Sequence, residues 1–320
     1  MIDVSGMNYF WKVFDLLCKD QEPDQECWGS LFATPGYSVL TKSEFSPEFF
    51  MEKWRLAFQP NRREERKKAL DKGDPFLKHY FAVLENKEEL KAYQERVLKE
   101  EGLLSRAKDL ALKYLPSGSY PGYPPVSLVV FQFDARGYNP VVIDLLAALK
   151  MQEVLIPFLA HEFHHYYRNK TRKQLAGPEH LLWVIDQIHA EGTADLLDKA
   201  PRIKDGDPQM GTYKQLVEDA PEYLRFLNDR LLEMGKDKEK VLAEEKILRE
   251  KLPQSGHPVG YHMAELIRSE FGIEKIRSEV SDPLAFFWSF HQAEIKAGLS
   301  RTLTPEAIKI LESLLQPNNF

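Results

Sequence analysis

Two histidines four residues apart, with a glutamate directly after the first, stand out in AHEFHHYYR, residues 160–168. The chain has nine histidines in 320 residues, and His161, His164 and His165 fall within five positions. On a helix, residues four apart lie one above the other, so His161 and His165 present two imidazoles to one point. Glu162 stands about 100° round from His161, close enough to reach a water held there. Two nitrogen ligands for Zn2+, and a carboxylate to take a proton from the zinc-bound water, are the parts of metal-assisted hydrolysis. Other pairings stay open. His161 and His164 could act together, or the cluster could be a polar patch on an ordinary helix. Glu162-x-x-His165 matches half of a carboxylate-bridged di-iron site, but the chain has no second Glu-x-x-His.

A catalytic zinc site takes three protein ligands and keeps one position open, so a third donor is required. The stretch HLLWVIDQIHAEGTADLLDK, residues 180–199, reads as a helix opened by Gly177-Pro178, with Leu181, Val184, Ile188, Glu191 and Asp195 on one face. Two carboxylates continuing an apolar stripe need a cation, because burying them unpaired is costly. Zinc on Glu191 would supply it, and Asp195, one turn on, could accept the other ring N–H of a ligand histidine. The alternative is a pair of acids that bridge to Lys or Arg near the helix end. His189 lies about 200° round from Glu191 and faces elsewhere.

HEFHH followed by EGTAD resembles the Glu-zincin metallopeptidases of the thermolysin-like clan. Together with an apolar strand pair before it and GHPVGYHMAELI after it, the pattern is more similar still to little-characterised bacterial families of zinc-dependent proteases. The likeness spans about residues 125–270, although the interval from His165 to Glu191 is longer than in thermolysin. It implies zinc on His161, His165 and Glu191, with Glu162 as the base and Asp195 supporting a ligand. It also implies a zincin-like core whose edge strand, Val126–Phe133 or Val141–Leu146, aligns an extended peptide. A Tyr or His from the C-terminal part stabilises the oxyanion in such enzymes. Here Gly256 and Pro258 suggest a helix start, making His257 and Tyr261 the candidates and His262 a weaker one.

These residues need elements to carry them. VSLVVFQFD (126–134) and VVIDLL (141–146), separated by a turn, read as an antiparallel strand pair, with helix from about Leu149. Before the strands, helices are expected at Tyr9–Leu17, Pro47–Phe58, Pro75–Leu84 and Lys87–Tyr114, and after them at seven stretches ending near residue 315. Met151, Val154, Phe158, His161 and His165 would form one inward stripe, and Pro157 should kink that helix. The expected fold is a mainly helical α+β protein with a small, largely antiparallel sheet just before the zinc-binding helix. Residues 1–116 would form an N-terminal helical region and 117–320 a zincin-like catalytic region with C-terminal helices, or the two one continuous domain.

Composition narrows the function classes. The chain is 43% hydrophobic and 29% charged, which suits a folded globular protein. Its net charge of -6 gives no basis for nucleic-acid binding, and the basic run Arg62–Lys68 is interleaved with Glu64 and Glu65 as on a solvated helix face. No run approaches a membrane span, and no signal peptide is visible, so a cytoplasmic location is the default expectation. Cys18 and Cys27 match no redox or zinc motif. The expected activity is zinc-dependent hydrolysis of a peptide or protein substrate. The alternatives are a non-catalytic zinc-containing descendant that binds a peptide or protein, and a hydrolase of another amide or ester. Retention of Glu162 argues against the first alternative, because a structural zinc needs no base.

Overall fold

Among the described residues four strands form one sheet: β1 (Ile2–Asp3), β2 (Val126–Val129), β3 (Ala135–Arg136) and β4 (Val141–Asp144), in the order β1-β2-β4-β3. The computed structural model describes residues 2–118 and 120–316, so Ser119 of the 117–125 connection lies outside the described residues. β2 and β4 are parallel, not the antiparallel pair expected. The reason is β3, a two-residue strand that pairs antiparallel with β4 and absorbs the chain reversal. β1 is also parallel to β2, so the sheet is mixed rather than largely antiparallel. Both inner strands are buried at every position, as strands covered on two faces are.

The edge-strand expectation is corrected by the same order. β2 and β4 are each paired on both sides, so neither is an edge; β1 and β3 are. β2 stops at Val129, and Phe133 is 52% exposed. β4 gives way to helix at Leu145 rather than Leu149, because the Asp144 side chain accepts from Ala147 N and caps the first turn.

The chain divides into two compact units, Met1–Ala107 with Gly122–Tyr166, and Lys108–Pro121 with Tyr167–Phe320. The first holds α1 (Ser5–Leu17), α2 (Gln25–Phe32), α3 (Pro35–Ser43), α4 (Pro47–Phe58), α5 (Arg63–Asp71), α6 (Pro75–Glu85) and α7 (Lys87–Lys99). The division falls within α8 (Leu103–Ala111); α9 (Leu145–Lys150) belongs to the first unit, and α10 (Leu155–Thr171) is divided after Tyr166. The expected helix over 87–114 is broken at Gly102, whose φ of 73° suits glycine. α2 and α3 were not anticipated, whereas the basic run read as a solvated helix face is α5. α2 and α3 carry polar faces that blur their period, and α5, the basic run, buries none of its residues. Trp54 anchors the core of this unit, with the rings of Phe50, Phe10 and Tyr37 at 5.1, 5.2 and 5.7 Å.

The second unit is helical: α11 (Glu179–Lys204), α12 (Gly211–Lys236), α13 (Val241–Lys251), α14 (His257–Phe271), α15 (Ile273–Glu279), α16 (Pro283–Lys296) and α17 (Pro305–Leu314). α11 and α14 meet backbone to backbone. A Cβ on Gly192 would lie 2.2 Å from the Gly260 carbonyl, and one on Gly260 only 1.9 Å from Ile188 O. No side chain fits either position, and that close approach sets what the two helices can place together. Among the described residues no helix is long and apolar enough to cross a membrane, and Cys18 and Cys27 are both free thiols.

Candidate metal centre

In the first unit the HEFHH segment lies on α10, nearly two turns past its start at Leu155. Pro157 is the third residue of that helix, where its absent N–H would have no intrahelical partner, so it starts the helix instead of kinking it. The expected stripe is corrected too. Met151 and Val154 precede the helix and Phe158 is half-buried; the buried apolar positions are Leu155, Leu159, Ala160, Phe163 and Tyr167. His161 and Glu162 are nonetheless buried, at 4% and 6% exposure, and His164 is fully buried.

His161 Nε2 and His165 Nε2 face each other at 2.9 Å. Two ring nitrogens cannot face lone pair to lone pair at that separation; they need a shared proton or a cation. Two imidazoles on one tetrahedral zinc would stand roughly 3.3 Å apart, given Zn–N bonds of about 2.05 Å. The pair therefore fits a metal with a shift of a few tenths of an ångström.

The chain after β3 closes against this helix. A Cβ on Gly137 would lie 2.5 Å from His165 Cβ and 3.4 Å from Glu162 Oε2. Glycine lets the backbone leaving the sheet edge pass directly along the two residues. The segment leading to β3 is pinned from three sides. Tyr37 Oη accepts from Val130 N at 2.9 Å, Tyr80 Oη donates to Phe131 O at 2.7 Å, and Asp144 Oδ2 accepts from Phe131 N at 2.9 Å. His79 Nε2 meets the same Asp144 oxygen at 2.9 Å. Sequence reasoning missed all four residues, which lie far from Val130 in the chain or look like ordinary helix positions.

In the second unit the Gly192–Gly260 crossing sets the start of α14 against the middle of α11. His257 Nδ1 donates to both Asp195 oxygens at 3.1 Å, and His257 Nε2 is 3.4 Å from Glu191 Oε2. Asp195 is fully buried; it accepts from Tyr213 Oη and pairs with Lys199 Nζ at 3.2 Å. Burial pushes the Asp195 carboxyl up, but Lys199 and His257 outweigh it and hold the group below the usual carboxylate range. Burial lowers His257, and Asp195 and Glu191 more than restore it, so its pKa is raised. The alternative in which the acids bridge to Lys or Arg near the helix end holds for Asp195, whose partner is Lys199; Tyr213 was not anticipated. Lys199 was legible as the i+4 partner of Asp195; Tyr213 was not.

Tyr261 sits one turn into α14, its ring 6.1 Å from that of Tyr213 and its hydroxyl pushed up to about 12, by burial first and then by Glu265. His262 packs on Phe290 at 5.9 Å, away from the His257 cluster. His189 packs tilted against Phe286 at 4.7 Å, and its Nδ1 accepts from the buried Arg168 at 3.0 Å. Within each unit, then, His161 meets His165, and His257 meets both Glu191 and Asp195.

The family model described as "putative zinc dependent peptidase (DUF5700)" matches residues 28–298. No curated protein and no solved structure matches the chain. The matching family is zinc dependent, so zinc is the cofactor.

Proposed function

Because the chain belongs to the DUF5700 family, we propose that it hydrolyses peptide bonds with zinc held by His161, His165 and Glu191, in a Glu-zincin arrangement. The observation that carries this reading is the approach of the two Nε2 atoms to 2.9 Å with Glu162 on the turn between them. When bound, zinc supplies the Lewis acidity that polarises a carbonyl and makes water acidic. Glu162 takes the proton of the attacking water and returns it to the leaving amine. Gly137 keeps the space beside its carboxylate clear.

His257, rather than Tyr261, is the oxyanion donor in this reading. Asp195 fixes the Nδ1 side of the ring, so Nε2 projects on the Glu191 side, while Tyr261 packs toward Tyr213. In its charged form the ring donates through Nε2 to the carbonyl oxygen as negative charge develops there. The sheet edge at β3, continued by Gly137, receives an extended peptide by strand addition, as in a zincin-like core.

The test is Glu162→Gln beside wild type, with zinc content and turnover of a mixed peptide library measured on the same samples. The variant should keep zinc while turnover falls by about 100-fold or more. Wild type without stoichiometric zinc would sink the ligand assignment. Zinc-loaded wild type that cleaves nothing would point to a peptide-binding protein instead.

A further inference from the structure

A cleft of about 490 Å³ in the second unit is lined by His180, Trp183, Lys246, Arg249, Glu250 and Ser255, among others. The Arg249 guanidinium lies over the Trp183 ring at 4.4 Å, and its Nη1 donates to His180 Nδ1 at 2.9 Å. Stacking on one face and a hydrogen bond at one edge hold the charge in place and leave its other N–H groups for a ligand. Among the described residues, neither Arg249 nor Lys246 forms an ion pair. A second cleft beside it, of about 220 Å³, also contains Trp183, but there Arg172 is neutralised by Asp186 and Lys173 by Asp282. Nor is the end of α11 the attraction, because Glu245 already accepts from His180 N and Leu181 N at 2.8 and 3.0 Å.

The cleft is tied to the Glu191–His257 cluster by one turn of chain. Gln254 and Ser255 both adopt left-handed backbone, with φ of 42° and 52°, a conformation non-glycine residues rarely hold. Ser255 lines the cleft, Gly256 packs on α11 at Gln187–Ile188, and His257 follows. Trp183 and Glu191 are eight residues apart on α11, about 12 Å along its axis. An extended peptide covers that distance in roughly three to four residues.

We propose that this cleft binds a carboxylate of the peptide, either an acidic side chain or the chain-terminal group, three or four residues from the bond that is cut. This rests on the peptidase reading for the path of the chain, but the binding itself does not need turnover. Arg249 and Lys246 supply the charge, and Trp183 and Ser255 line the same cleft.

Fluorescein-labelled octapeptides carrying one glutamate, or glutamine at the same position, each with a free or amidated C-terminus, provide the test. Anisotropy titrations use zinc-loaded Glu162→Gln protein, alone and with Arg249→Gln and Lys246→Gln added. A peptide with a carboxylate should bind about tenfold tighter than the wholly neutral one, and that preference should vanish in the triple variant while the neutral peptide binds as before. The glutamate–glutamine pair and the acid–amide pair tell which carboxylate is read. Equal affinities for all four peptides, or a preference that survives in the triple variant, would overturn the proposal. Turnover of the same peptides by wild type is read separately. A preference without turnover would sink the peptidase reading and leave the cleft standing.

Discussion

The His161–His165 pair and the Glu191–Asp195–His257 cluster are built in opposite ways. The first comes from one helix: two imidazoles meet because residues four apart share a face, and its nearest outside requirement is the missing side chain at Gly137. The second is assembled from α11, α12 and α14, and it exists only because Gly192 and Gly260 let two backbones touch. A local device tolerates changes elsewhere in the fold. An assembled one fails when any of its helices shifts by a fraction of an ångström.

The largest effect expected tests the local device. His161→Ala or His165→Ala should abolish zinc binding and lower peptide turnover by at least about 10³-fold, with little change in the melting temperature of the metal-free protein. Metal analysis and calorimetry on the same preparations check this. A large loss of metal-free stability would mean the pair also holds the fold together. The assembled device should respond the other way. Gly260→Ala forces a methyl into Ile188 O and should cost about 3 kcal/mol or more in denaturant unfolding, because the helices must separate.

Charge gives a finer distinction. Lys199→Met leaves the buried Asp195 carboxylate with less compensation and should cost about 3 kcal/mol near pH 7. In wild type the folded pKa of Asp195 is depressed, so its contribution is present above the unfolded value of about 3.9 and is lost as pH falls through the folded value. Without Lys199 that depression is reduced. The gap between variant and wild type should therefore hold from pH 7 down to about 4 and narrow below it, as the variant's carboxyl takes up its proton before the wild type's does. A pH-independent gap would show that Lys199 acts by packing. The smallest effect is expected for Tyr213→Phe, which removes one donor to Asp195 and should cost about 1 kcal/mol. If His257 is positioned through Asp195, kcat should fall in this variant while KM holds.

Legibility in the sequence followed the range of the interactions. Helix starts with a capping side chain and a proline, such as Ser46-Pro47 and Asp74-Pro75, could be read directly, and the helices stand where expected. The parallel pairing of β2 and β4 could not, because it depends on a two-residue strand with no periodicity of its own. Pro157 misled for a related reason: its effect depends on which turn of the helix it occupies, and that turn was set by a boundary the sequence left ambiguous.

Residue type and spacing alone determined that His161, Glu162 and His165 share a helix, that Glu191 and Asp195 sit one turn apart, and that the chain is mainly helical. These are properties of a few neighbouring residues and the helical repeat. Only the tertiary structure decided that β3 is a sheet edge, that Gly137 runs along Glu162, and that Asp195 is held by His257, Tyr213 and Lys199 together. Most of those contacts join residues far apart in the chain, where the geometry is fixed by how closely backbones can approach. Glycines set that approach, and a glycine in a sequence does not say what it will touch.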